Sequence, residues 1–423
     1  MSSSPTGDED PYVSLNALGE GGFGSIDEVY KRSDLSRIRY ARKRFKRPTV
    51  RANERQSVFE KLRDEAGILR SISFRHIVKL IECYTWKDNI FIVMSPVAET
   101  DLAKFLAHLN SLQESPERND ARSVVLQWPG CLIRAIEYLH KKRIKHRDIK
   151  PSNILVKHGR VYLTDFDISR VVADNDTTGS IGPVGPRTYK YSAPEVIREE
   201  GGRRGRSADI FSLGCVLLEI STALIAPPGS QDLFARLRLE RTGNLAYALN
   251  STLIIQWILH LWAHWSIAAQ QKDADDECIL LGIAVPDLAF LMLDPDPAKR
   301  IMANELVDMI STPELYYFSG VHETACRECR AVFHERAEED LHSVFKGTND
   351  IKYAENPEHA LEILPAPDWE STKREWLKSH KPWTKFRGRY WRDCALDGDL
   401  YSDSEVQNST NERTSHQAED SAG

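Results

Sequence analysis

No basic stretch followed by an apolar run opens this chain. The start, MSSSPTGDED, is small, polar and acidic, so the sequence predicts no secretory signal. A disulfide framework is equally absent. The seven cysteines among 423 residues are scattered and odd in number, which fits free thiols in a reducing compartment, the cytoplasm, with the nucleus as the alternative. An uninterrupted apolar span is missing too. Leu253 to Ala269, LIIQWILHLWAHWSIAA, comes nearest, but Gln256, His260 and His264 interrupt it and a bilayer needs about 20 residues. It predicts a buried helix and no membrane partner. His260 and His264 stand at i, i+4 spacing without an acidic companion in the same turn, so they read as core rather than as metal ligands. Nor is there surplus positive charge: the net charge of −6 gives no general reason to expect nucleic-acid binding. What is present is 41% hydrophobic and 28% charged residues, enough for a sizeable core under a soluble surface.

One stretch carries chemistry at once: HRDIKPSNIL, His146 to Leu155. Asp148 can accept a hydroxyl proton, Lys150 can neutralise a moving phosphoryl group, and Asn153 can hold a metal ion by its amide oxygen. Upstream, LGEGGFGSI sets Gly19, Gly21 and Gly24 between extended segments, where backbone N–H groups can approach phosphates with no Cβ in the way. By itself that stretch could equally be a glycine-rich hairpin. The apolar run Arg39 to Phe45 follows with Lys43, and the amphipathic segment Ser57 to Ile72 carries Glu65. Downstream, LTDFDIS holds Asp165, and TYKYSAPEV places Thr188 six residues before Pro194, which Glu195 follows. DIFSLGCVLLEI begins at Asp209, and DPDPAKR ends at Arg300.

In this order the motifs resemble the eukaryotic protein kinase family, serine/threonine type, from about Tyr12 to about Phe318. The resemblance implies an α+β, two-lobed fold. A small lobe, 12–94, would hold a twisted antiparallel sheet with one helix; a hinge at 95–98 would lead to a larger, mainly helical lobe, 99–318. ATP and Mg2+ are the implied cofactors. The residues implied to bind the nucleotide include Leu18, Gly19, Gly21, Gly24, Ile26, Ala41 and Leu155. Met94 would guard the back of the adenine pocket, and the backbone of Ser95 and Val97 would read the adenine, so the missing N–H of Pro96 costs nothing. Lys43 would pair with the α- and β-phosphates and be held by Glu65, while Asp165 and Asn153 bind magnesium. Asp148 would be the catalytic aspartate, with Lys150 and Thr188 beside it, and the pairing of Lys150 with Thr188 is the serine/threonine pattern. Asp209 would tether the catalytic-loop backbone, and Glu195 with Arg300 would form a buried ion pair. Arg147 would capture a phosphate placed on Thr177, Thr178 or Ser180 by an upstream activating kinase, the second expected partner beside a protein substrate. Constitutive activity, with Asp174 or Asp176 in the phosphate's place, is the alternative.

The chain departs from the family at Asp167 and Arg187, both positions where glycine is usual. A pseudokinase that holds nucleotide or partners without turnover is therefore the alternative reading, opposed by retention of Lys43, Glu65, Asp148, Asn153 and Asp165. A kinase-fold enzyme for small molecules is opposed by Thr188 and the Ala-Pro-Glu triplet, which build a platform for an extended peptide. The basic run Arg42 to Arg47 resembles a nuclear-localisation signal, yet it lies on the strand of Lys43, where alternate residues must point inward. GGRRGRS, Gly201 to Ser207, reads as solvated surface charge, and Asn110 to Arg122 as a surface loop between helices. Residues 319–400 form a C-terminal extension of open role. In it CREC gives Cys326 and Cys329 zinc-ligand spacing near His322 and His334, but no second pair, so ordinary thiols are the competing reading. Trp369, Trp376, Trp383 and Trp391, interleaved with Lys378, Lys381, Lys385 and Arg389, could stack on nucleic acid or fold back on the large lobe. Residues 1–11 and 401–423 are expected to be disordered.

Overall fold

The computed structural model describes residues 9–21, 24–45, 70, 72–87, 89–165, 189–198, 205–270, 284–311 and 368–379. Glu65, Asp167, Thr177, Thr178, Ser180, Arg187, Thr188, Cys326 and Cys329 lie outside them.

Five strands rich in alternating apolar residues form the first layer: β1 (Tyr12–Gly21), β2 (Gly24–Lys31), β3 (Arg39–Phe45), β4 (Lys79–Trp86) and β5 (Asn89–Ser95). They pair antiparallel in the order β1-β2-β3-β5-β4. Because successive residues of a strand face opposite sides, the basic run on β3 is divided between them. Arg42 lies on one face among Tyr12, Val29, Tyr84, Phe91 and Val93, its guanidinium 4.8 Å from the Phe91 ring centre. Lys43 takes the other face, opposite Ile26 on β2 and Ile92 on β5. Both basic side chains are buried, so neither belongs to an exposed import signal. The outer face also anchors the chain's start. Asp10 accepts bonds from Arg42 and from the Tyr84 hydroxyl, the latter at 2.9 Å, so the ordered body begins before Tyr12.

From β5 the chain crosses at residues 96–99 to a second, small sheet, β6 (Thr100–Asp101), β7 (Ile154–Lys157) and β8 (Arg160–Leu163), and to the helices. Helix α1 (Leu102–Ser111) starts where the Asp101 carboxylate accepts the Lys104 N–H at 3.0 Å. Helix α2 (Pro116–Leu126) corrects the expected surface loop at Asn110–Arg122. Ser115 caps it, Pro116 opens it, and Glu117 sits in its first turn, a start signal that polar composition hid. Arg118 and Arg122 are buried there; Arg118 donates to the carbonyls of Leu109, Leu112 and Ala226, and Arg122 pairs with Glu114. Helix α3 (Trp128–Lys141) leads to the loop before β7.

Beyond β8, α4 (Pro194–Arg198), α5 (Arg206–Ile225), α6 (Ser230–Thr242), α7 (Ser251–Gln270), α8 (Ala284–Met292) and α9 (Ala303–Ser311) complete the large lobe, and α10 (Trp369–Ser379) belongs to the C-terminal extension. Among the described residues α5 is the helix long and apolar enough to cross a bilayer, but 89% of its apolar window is packed inside the protein. Gly214 lets it approach α8, since a Cβ there would stand 2.8 Å from Met292 Cβ. Helix α7 is buried along Leu253 to Ile258, as its apolar run predicts. His260 is buried and packs edge-on against His264 at 4.4 Å, and no metal-holding cluster occurs among the described residues. A sheet lobe and a helical lobe are thus joined by a short crossing, the two-lobed α+β arrangement expected.

Candidate active site

The loop between α3 and β7 is fixed from below by one carboxylate. Asp209, in the first turn of α5 and 2% exposed, accepts the backbone N–H of His146 at 2.9 Å through Oδ2 and that of Arg147 at 2.7 Å through Oδ1. A buried carboxylate with two N–H donors is satisfied, so the loop cannot shift without leaving a charge stranded. His140 Nε2 adds a third contact to Oδ2 at 3.0 Å, a partner the sequence reading missed because nothing in the pattern links the end of α3 to α5. Arg147 itself has φ of 66°, in the left-handed region that ordinary side chains rarely adopt. The two bonds to Asp209 support that conformation.

Above this anchor the polar residues converge on Asp148. Its Oδ2 accepts Lys150 Nζ at 2.7 Å and Asn153 Nδ2 at 2.8 Å. Asn153 Nδ2 also donates to the Asp148 carbonyl at 2.8 Å, which turns the amide oxygen of Asn153 away from Asp148. Among the described residues, Asp148 Oδ1 is a buried oxygen that accepts no hydrogen bond. One oxygen of the carboxylate is therefore held by two donors, and the other is a buried acceptor without a hydrogen bond. That is the arrangement a general base needs.

Asp165 joins the same centre. The Thr164 N–H donates to the Asn153 carbonyl at 3.0 Å, so the exit of β8 is laced to the loop, and Asp165 follows with φ of 59°. Lys43 reaches across from the sheet and donates to Asp165 Oδ1 at 2.7 Å. Farther back, Ile77 bridges Leu163, and Leu163 N–H donates to the His76 carbonyl at 2.9 Å, tying β8 to the strand-bearing lobe. The Asn153 amide and the Asp165 carboxylate supply hard oxygen donors on adjoining backbone, a set that fits Mg2+.

The register of the sheet brings the expected nucleotide-side residues into rows. Gly19 pairs with Ile26, Ile26 with Lys43, and Ala41 with Met94, all on the Lys43 face. A Cβ on Gly19 would meet nothing within 4 Å, and Leu18 is 40% exposed, so open space lies against β1. Gly21 pairs with Gly24, whose φ is 155°. Ser95 and Val97 flank Pro96 in the crossing, and Leu155 pairs with Asp101 on the large-lobe side.

On the other flank of Asp148, a pocket is lined by Arg147, Ile149, Tyr191, Ser192, Ala193 and Val196. Its wall is held by the ion pair of Glu195 and Arg300, two parallel bonds of 2.8 and 3.0 Å. Arg300 also donates to Ser207 and lies 5.0 Å from the centre of the Phe211 ring. A second anchor was not legible in the sequence. Glu219 Oε1 accepts Lys190 Nζ at 2.7 Å, the Tyr191 hydroxyl at 3.0 Å and the Tyr247 hydroxyl at 2.7 Å. Burial would raise this carboxyl, but Lys190, by its charge and its donated bond, leaves it below the ordinary value.

The family model described as protein kinase domain matches residues 12–310. The chain is similar to the probable serine/threonine protein kinase IRE4 of Arabidopsis thaliana, 27% identical over 339 residues that cover 74% of this chain and 28% of that protein. It is similar to the developmentally-regulated protein kinase 1 of Dictyostelium discoideum, 26% identical over 286 residues, 67% of this chain and 33% of that one. With the serine/threonine-protein kinase Nek10 of Mus musculus it shares 30% identity over 223 residues, 51% of this chain and 19% of the relative. Each match spans a third or less of the relative's own length.

Proposed function

The chain belongs to the protein kinase domain family, matched over residues 12–310, and from that premise we propose that it is an active serine/threonine protein kinase. It transfers the γ-phosphoryl group of ATP to a hydroxyl of a protein substrate. The observation that carries this reading is the Asp148 carboxylate, positioned by Lys150 and Asn153 at one oxygen and left with a free acceptor at the other. The names of the relatives, which are serine/threonine kinases, support the same substrate class.

In this reading the Asp148 carboxylate orients the substrate hydroxyl and takes its proton as the new O–P bond forms and the bond from the γ-phosphorus to the β-bridging oxygen breaks, releasing ADP. Lys150, bonded to Asp148, stands where it can also neutralise charge on the moving group. Lys43 holds Asp165 and offers its ammonium to the α- and β-phosphates. Asn153 and Asp165 are the residues that would hold Mg2+, which would supply neutralisation of phosphate charge. Met94 backs the adenine, and the main chain at Ser95 and Val97 reads its edge.

Arg147 is the residue proposed to receive an activating phosphate on Thr177, Thr178 or Ser180, added by an upstream kinase. Its main chain is fixed by Asp209, which supports a fixed landing point. Mass spectrometry before and after phosphatase treatment, paired with activity, tests this; full activity in dephosphorylated protein refutes it. The described cysteines, Cys83, Cys131 and Cys215, are free thiols, which supports a cytoplasmic location, and imaging of a tagged protein tests it.

Purified protein with magnesium and ATP on a peptide library tests the activity. Phosphoserine or phosphothreonine products are expected. A preparation that binds ATP yet labels no peptide, with or without prior phosphorylation, would overturn the reading.

A further inference from the structure

The C-terminal helix α10 is seated on the large lobe through buried contacts of two kinds. Trp369, 8% exposed, stacks on Phe290 of α8 with ring centres 4.9 Å apart. Lys373, 2% exposed, donates to Asp294 Oδ2 at 2.7 Å, and the Asp294 side chain is itself buried. Glu370 adds a surface pair with Lys299 at 2.9 Å, and Asp368 caps the helix through the Ser371 N–H. A buried lysine is costly unless paired, so this helix has a built seat rather than a chance contact.

Asp294 is held at three atoms. Oδ2 takes Lys373, Oδ1 takes the Asp296 N–H at 3.0 Å, and its carbonyl takes Arg300 Nε at 2.8 Å. Arg300 then forks onto Glu195, in the short helix that walls the pocket beside Asp148. We infer that α10 is a latch and Lys373 a positioning residue: through Asp294 and Arg300 it fixes the segment Ser192 to Arg198 against which a protein substrate lies. The extension thereby acts at the protein-substrate side of the site and leaves the nucleotide side alone. Only this consequence for substrate rests on the kinase reading; the relay from Lys373 to Glu195 stands on contacts alone.

Hydrogen exchange of the full chain reads the relay without any activity. The amides of Val196 and Ile197 bond to the Ala193 carbonyl at 3.0 and 3.2 Å. In Lys373→Gln and, separately, Trp369→Leu they should exchange about tenfold faster or more, with amides of the five-stranded sheet unchanged. Faster exchange confined to 284–300 and 369–379 overturns the relay. If Lys373→Gln does not fold, Asp294→Asn with Lys373→Leu removes both buried charges, keeps an acceptor for the Asp296 N–H, and is read the same way. In a kinase assay the folded variants should raise KM for a peptide about threefold or more with KM for ATP unchanged. An equal rise in both, or no rise in either, overturns the role in substrate placement. A parent without phosphotransfer overturns the kinase reading instead, and the exchange data still decide the relay.

Discussion

Lys43 on β3 and Asp165 after β8 are 122 residues apart in sequence, and their side chains meet at 2.7 Å across the two lobes. The contact couples the residue proposed to hold phosphates with one proposed to hold magnesium, so the two should fail differently. Lys43→Met should cut turnover by about 10²-fold by misplacing the phosphates. Asp165→Asn should instead remove the magnesium dependence of nucleotide binding. Calorimetric titration of ATP with and without magnesium separates them, and identical titrations for wild type and Asp165→Asn would contradict the assignment.

Arg300 is fully buried, while Glu195 keeps partial exposure. Removal of the carboxylate is therefore the harsher change. Glu195→Ala should cost about 3–5 kcal/mol because the guanidinium stays buried with its charge uncompensated. Arg300→Met should cost less, since Glu195 can reach water. Chemical denaturation of both variants checks the order; a smaller loss for Glu195→Ala would reverse the account of which partner is trapped.

Helix α5 touches α8 at Gly214, where an added Cβ would stand 2.8 Å from Met292 Cβ. Neither atom is the end of a flexible side chain, so the helices must move apart. Gly214→Ala should destabilise by about 1–3 kcal/mol despite the better helix propensity of alanine. Thermal melts decide this, and a stabilised Gly214→Ala variant would show that the approach is looser than described.

Burial holds His146 below the ordinary histidine value of 6.5, against the pull of Asp209 and Asp148, and burial alone lowers His264. A depressed folded pKa means that the unfolded chain takes up the proton first as the pH falls. Stability from these neutral histidines is thus whole above about pH 6.5 and falls below it, by up to about 1.4 kcal/mol per pH unit for each. Denaturant titrations at pH 7.5 and 5.5 measure the slope, and His264→Gln should reduce it. Equal stability at both values in the parent would contradict the shifts.

Much of the site was legible because its chemistry is local: His146 to Leu155 places Asp148, Lys150 and Asn153 on one short loop, and a loop that short can converge only on itself. Strand alternation was legible too, and it divides Arg42 from Lys43 as expected. The surface loop expected at Asn110–Arg122 gives way to a helix from Pro116, because the Ser115 cap and Pro116 start a helix despite the polar composition. The anchors Lys190 to Glu219, His140 to Asp209 and Lys373 to Asp294 were not legible at all. Each joins residues 29, 69 or 79 positions apart, and periodicity carries no information about which buried charges meet. For the aromatic and basic C-terminal stretch, the fold-back alternative holds at α10, where Trp369 and Lys373 are buried on the large lobe.

The proposed phosphoryl transfer to a substrate hydroxyl depends on the Asp148 carboxylate. Asp148→Asn keeps the shape of the side chain and the bonds around Oδ2 while removing the base. Steady-state kinetics on a phosphorylatable peptide should show kcat lowered by about 10²-fold or more, with ATP affinity from calorimetry nearly unchanged. Equal turnover in Asp148→Asn and wild type would contradict the account.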